Sequence, residues 1–256
     1  LGPGMKLHYQ RVDDGLDAYP RLAERAPARL HPRPVEQALD QGGEARGLGD
    51  LLALTGRKTV LTLPPVLWTE CAEVFGIHDL DRRLLRGGLP ELLLSRSTDD
   101  TFFAEWMDSF YARDIQELFG IRERTGFLNL LRVALRQSGG LADYSALARE
   151  CDVSRPTVKA HLEALTVACA LYPLPPFHGG GRRELVRRPK VYGFDTGFIC
   201  FVRGWHEIRA EDRGILWEHL VLDVLRTATG GEGLFYWRDK SGRELDFVVR
   251  KGRAVH

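Results

Sequence analysis

Tyr236-Trp237-Arg238-Asp239-Lys240-Ser241-Gly242-Arg243-Glu244-Leu245-Asp246-Phe247-Val248-Val249 reads as strand, tight turn, strand. One carboxylate, Asp246, stands among apolar residues of the second strand, and strict alternation sends it to the face opposite Leu245 and Phe247. Upstream, a helix is expected over roughly 212–228. Trp217, Leu220, Val221, Val224 and Leu225 recur there at helical spacing, and Thr229-Gly230-Gly231 stops it. Glu218 lies beside Trp217 at the edge of that stripe, where a carboxylate can face a cleft without entering the core.

Two acids converging from a helix and a strand have the chemistry to share a divalent ion. Mg²⁺ takes oxygen ligands and keeps several waters, one of which it can activate for attack on a phosphodiester. Glu218 and Asp246 are therefore candidate catalytic and metal-binding residues. The same spacing equally suits two half-exposed surface acids.

The 256 residues are 44% hydrophobic and 28% charged, the balance of a globular protein, with room for one large domain or two to three small ones. A net charge of +1 excludes a global field that would draw in nucleic acid, so any such contact needs a local patch. No apolar run is long enough for a membrane span, and no signal peptide is visible. Cys71, Cys151, Cys169 and Cys200 form no C-x-x-C pair, which argues against a zinc site or a disulfide framework. A cytoplasmic protein is expected.

Lys58 to Leu63 reads as a strand closed by Pro64-Pro65, and no G-x-x-x-x-G-K-[ST] loop occurs anywhere. A long helix is expected over roughly 99–119, its apolar side formed by Phe103, Trp106, Met107, Phe110, Tyr111, Ile115 and Leu118. Residues 125–195 then give three helices and a glycine-tipped hairpin, the plan of a winged helix. Ser154 is the expected N-cap of the third helix, whose inner face is Val158, Leu162 and Leu165. Ser154, Arg155, Thr157 and Lys159 at that helix start, with Arg182, Arg183, Arg187, Arg188 and Lys190 on the hairpin, are candidate nucleic-acid contacts. The alternatives are a solvated strand pair or a surface that docks a protein partner. The histidines are isolated and read as surface or core-edge residues. The Ser and Cys residues show no neighbouring base that would suggest a nucleophile.

Several blocks carry a resemblance: "KTVLTLPPVLWTE" (58–70), "GGLPE" (87–91), "FYARDI" (110–115), "LARECDVSRPTVKAHLEAL" (147–165), "RRPKVYGFDTG" (187–197) and "YWRDKSGRELDFVV" (236–249). In this order they resemble bacterial and archaeal AAA-type ATPases that carry a winged helix and a C-terminal restriction-endonuclease-like domain of unknown function. The resemblance covers about 58–256, and 7–27 weakly resembles the segment after that family's P-loop. It implies a remnant of the P-loop ATPase module (1–75), a helical lid (76–124), a winged helix (125–195) and a PD-(D/E)xK-like α/β domain (196–256). It further implies ATP and Mg²⁺ as cofactors, DNA or a protein as partner, an oligomer, and Arg113 in the lid as a nucleotide-sensing position, with packing as the alternative role. The chain departs from that pattern, having neither a Walker A loop nor a Walker B strand. It is thus expected to be a fragment or composite lacking those parts, or a protein without ATPase function. In such folds a further acid and a lysine sit on the strand that would begin near His256.

Overall fold

The computed structural model describes residues 63–95, 100–178, 187–252 and 254–256. Most of the expected ATPase-core segment (residues 1–62), the glycine tip of the hairpin, Arg182 and Arg183 lie outside the described residues. The described residues are mixed α/β, with helices around two small antiparallel sheets. Among them, no helix is long and apolar enough to cross a membrane.

The first helices are α1 (Trp68–Glu73), α2 (Leu80–Arg86) and α3 (Pro90–Leu94). Asp79 caps α2 by accepting from Arg82 N at 3.1 Å, and Pro90 opens α3 at a position where its missing N–H costs nothing. The expected long helix is α4 (Asp100–Phe110), a π-helical turn (Tyr111–Ile115) and α5 (Gln116–Phe119), ended by Gly120 in the left-handed conformation. Phe103, Met107, Phe110, Tyr111 and Ile115 are buried along it.

Next come α6 (Arg124–Arg136), β1 (Gly140–Leu141), α7 (Tyr144–Glu150), α8 (Arg155–Val167), β2 (Leu171–Leu174) and β3 (Lys190–Gly193). Each of these helices starts on a side-chain cap: Glu123 on Gly126 N, Asp143 on Ser145 N and Ala146 N, and Ser154 on Thr157 N. β3 lies between β1 and β2, antiparallel to both, with Tyr172 opposite Tyr192 and Leu174 opposite Lys190.

Thr196-Gly197 has turn chemistry but begins a helix, α9 (Thr196–Arg203). The reason is local: Asp195 caps it by accepting from Gly197 N at 2.8 Å, and Phe198, Ile199 and Cys200 are fully covered. Phe198 and Phe201 meet Phe103 of α4 with ring centroids 4.9 and 5.0 Å apart, and Trp106 stacks on Phe194 at 5.1 Å.

The chain closes with α10 (Arg213–Thr229), β4 (Leu234–Arg238), β5 (Glu244–Lys251) and β6 (Ala254–Val255), the strands ordered β4–β5–β6. The buried stripe of α10 is Leu216, His219, Leu220, Leu222 and Asp223, one position away from the expected set. Trp217 is turned outward because the polar pair His219 and Asp223 find buried partners. The β4–β5 turn is built by Asp239, whose carboxylate accepts from Arg243 N and Ser241 Oγ. Those bonds and the Arg243 guanidinium hold the Asp239 carboxyl down to about 2. The two sheets join where Tyr236 N donates to Pro175 O at 3.0 Å and Phe177 N donates to Tyr236 O at 2.6 Å.

One cluster of buried side chains runs from Leu84 through α4, α6, α8 and α9 to Leu220. A smaller one, Leu174, Tyr192, Leu222, Leu234 and Tyr236, lies between the sheets and beneath α10.

Candidate functional site

Glu218 of α10 and Asp246 of β5 are brought together, and four residues absent from the expected acid pair stand with them. Lys190 Nζ bonds Asp246 Oδ1 at 2.9 Å and is ion-paired to Glu244. Tyr192 OH donates to Glu218 Oε2 at 3.2 Å. Arg238 reaches Glu244 from the neighbouring strand at 3.2 Å.

Asp246 owes its direction to a break in the strand ladder. Phe235 faces Val248 and Trp237 faces Leu245, so Asp246 and Phe247 together oppose Tyr236. That is a β-bulge, which re-aims side chains. Lys190 and Tyr192 share one face of β3; Lys190 holds Asp246, and the Tyr192 ring lies 6.1 Å from Phe247. Consecutive residues of β5 thus point the same way. This corrects the expected alternation of Asp246 against Phe247.

Lys190 is the second correction. Expected as a phosphate contact on the hairpin, its side chain is only 5% exposed and is committed to carboxylates. Burial alone would lower its ammonium, but the bonds to Glu244 and Asp246 and the charge of Glu218 leave it raised, so it stays charged. Burial raises the Glu218 carboxyl; Lys190 pulls it back and Asp246 pushes it further up. The Tyr192 hydroxyl is raised by burial and then by Glu218, so it remains a donor.

These residues do not fit Mg²⁺. A divalent ion needs free carboxylate oxygens and room for its waters. Here oxygens of Asp246, Glu244 and Glu218 are taken by Lys190, Arg238 and Tyr192, with an ammonium already between the acids. Among the described residues, no group of three or more His, Cys, Asp or Glu side chains is arranged to hold a metal ion. No hydrolytic step through a metal follows from this geometry.

Behind Glu218 lies a contact that no sequence neighbourhood announced. Ser138 Oγ is 2.7 Å from His219 Nε2, and Gly193 N donates to Ser138 Oγ at 2.6 Å. His219 Nδ1 is 2.7 Å from Ile215 O; a carbonyl only accepts, so the proton is on Nδ1 and Nε2 accepts from Ser138. Burial brings the His219 imidazole down to about 4, keeping it neutral. Ser138 does have a base beside it, contrary to expectation, and His219 is core rather than edge. Both are buried, so the pair fixes structure.

A second buried polar group ties α2 to α9 and α10. Arg83, 1% exposed, donates to Val66 O at 2.9 Å and Thr196 Oγ1 at 3.1 Å, and stands 3.8 Å from Asp223. Asp195 accepts from Gly88 N at 2.7 Å.

The remaining candidates are spread apart. Ser154, Arg155 and Lys159 are exposed at the start of α8, with Thr157 half-buried and bonded to Ser154. No acid occupies the first turn of that helix. Arg187 and Arg188 are exposed, Arg188 paired to Asp143 at 2.8 Å. Arg113 is exposed on the π-helical turn.

A domain of unknown function (DUF4143) matches residues 213–256. The chain is 34% identical over 183 residues to an uncharacterized protein of Mycobacterium tuberculosis, covering 68% of this chain and 41% of the relative, and equally to one of Mycobacterium bovis. It thus spans about two fifths of the length of these curated relatives. No solved structure matches it. Residues 77–209 match the model of a domain of unknown function (DUF8612), and the chain belongs to that family.

Proposed function

We propose that this chain is part of a AAA-type ATP-binding protein in which residues 125–195 form a winged helix that contacts DNA, followed by a nuclease-like unit that does not cleave. The observation that carries the reading is the open N-terminus of α8. In the order helix, strand, helix, helix, strand, strand, with β3 between the other two strands, α8 is the recognition helix. Its first turn has Arg155 and nearby Lys159 exposed and no acid, and the positive end of the helix dipole adds to them. Arg187 is also exposed, at the base of the hairpin, whereas Lys190 is withdrawn into the acid cluster.

ATP belongs to this reading through the resemblance of the ordered sequence blocks, with Arg113 placed on an exposed turn of the lid helix. The nuclease-like part rests on α10 lying against the β4–β5 hairpin with Glu218 and Asp246 converging, and the paired state of those acids supports a fold kept without its metal chemistry.

The test is duplex-DNA binding by fluorescence anisotropy across a salt series. Each phosphate contact contributes about 0.9 to the slope of log K against log salt. Arg155→Ala/Lys159→Ala should weaken binding and flatten the slope by roughly 2. Salt-dependent binding unchanged in that variant refutes α8 as the interface; no DNA binding by the folded protein leaves the protein-docking alternative in its place.

A further inference from the structure

Glu218, Glu244 and Asp246 face two cations, Lys190 and Arg238. Both cations are bonded to Glu244 or Asp246, and Glu218 is held by the Tyr192 hydroxyl instead. The cluster's central charge comes from another sheet: Lys190 is on β3, while Glu244 and Asp246 are on β5 and Glu218 on α10. Lys190 Nζ also lies 5.8 Å from the centroid of the Tyr236 ring, an aromatic face that favours a cation.

We infer that Lys190 is the resident cation of this cluster: its ammonium fills the place that a divalent ion would need, and the residues act as an ionic clasp between the β1–β3–β2 sheet and the β4–β5 hairpin instead of as a metal site. The Asp246–Phe247 bulge serves the clasp directly, because without it Asp246 and Phe247 could not face Lys190 and Tyr192 together. The inference stands apart from DNA binding by α8, since none of its residues is on that helix.

Metal binding tests it. Tb³⁺ is a suitable probe because Tyr192 and Tyr236 border the cluster and would sensitise its luminescence; Mn²⁺ calorimetry is the second readout. Wild type should show no saturable binding of either ion at the cluster. Lys190→Met keeps the length of the side chain and removes its charge. It should bind both ions at least about tenfold more tightly than wild type, and Lys190→Met/Asp246→Asn should lose that gain.

Two results overturn the inference. One is saturable binding by wild type that Asp246→Asn abolishes. The other is a folded Lys190→Met protein, by circular dichroism, that binds no better than wild type. If Lys190→Met does not fold, Lys190→Arg decides: a folded arginine variant that binds neither ion supports a resident cation, and one that binds them overturns it.

Discussion

Asp223 offers the sharpest test of the buried polar junction. It is 7% exposed, and burial raises its carboxyl to about 7 against the pull of Arg83, which stands 3.8 Å away, beyond hydrogen-bonding reach. An unfolded aspartate titrates near ~3.9, so the shift of about 3 units amounts to ~4 kcal/mol. The sign follows from proton counting. Between pH ~4 and ~7 the folded protein holds a proton that the unfolded chain releases, so this residue makes stability fall as pH rises. About 2.5 kcal/mol of that loss lies between pH 5 and 8. Asp223→Asn removes the titration while keeping the shape. Asp195 is present in both proteins, so its own titration largely drops out of the difference. Urea unfolding followed by circular dichroism at several pH values should show wild type losing about 2.5 kcal/mol relative to Asp223→Asn from pH 5 to 8. Parallel pH profiles for the two proteins would refute the reasoning, because Asp223 would then titrate alike folded and unfolded.

Gly87→Ala should be severely destabilising, by roughly 2 kcal/mol or more. Its φ is +81°, and an added Cβ would fall 1.9 Å from Asp195 Oδ1, as a drop in thermal midpoint would register. Ser138→Ala should cost about 2 kcal/mol, since it leaves the buried Gly193 N–H and His219 Nε2 without their shared partner. Wild type should also resist labelling by a fluorophosphonate, and modification of Ser138 detected by mass spectrometry would contradict a purely structural serine.

What was legible in the sequence was local. Ser154 capping α8, the inward positions Val158, Leu162 and Leu165, and the strand–turn–strand of 236–249 all depend on neighbours a few residues away. The helix at 196–203 is not legible because Thr196-Gly197 has turn chemistry and the decisive cap, Asp195, directly follows a strand-like run. The face of α10 was misjudged because hydropathy favours Trp217 over His219, whereas the structure supplies His219 with Ser138 and Ile215 O. In the candidate site, Glu218 and Asp246 were found as a pair. Glu244 was within reach of the same logic, two positions from Asp246 on one strand, as was Tyr192 relative to Lys190. The link between those two pairs was not, because it crosses 56 residues between Lys190 and Asp246 and depends on the bulge.

The blocks that stand far apart in sequence turn out to be neighbours, and the segment 190–197 is where they meet. At one end Lys190 and Tyr192 take the acids of the 236–249 block and Glu218 of α10. At the other, Asp195 accepts from Gly88 of the 87–91 block and caps α9, while a side chain at Gly197 would meet Arg86 O at 2.6 Å. Between them Gly193 N donates to Ser138, which holds His219. Three buried polar attachments within eight residues leave this strand no freedom to slide by one position, since a slip would flip Lys190 and Tyr192 away from their carboxylates. Each attachment consists of hydrogen bonds or charges whose loss strands a buried partner, and so costs more than the bond itself contributes. The residue types in these blocks are therefore accounted for by mutual satisfaction inside the fold, whereas Arg155 and Lys159 of α8 are exposed.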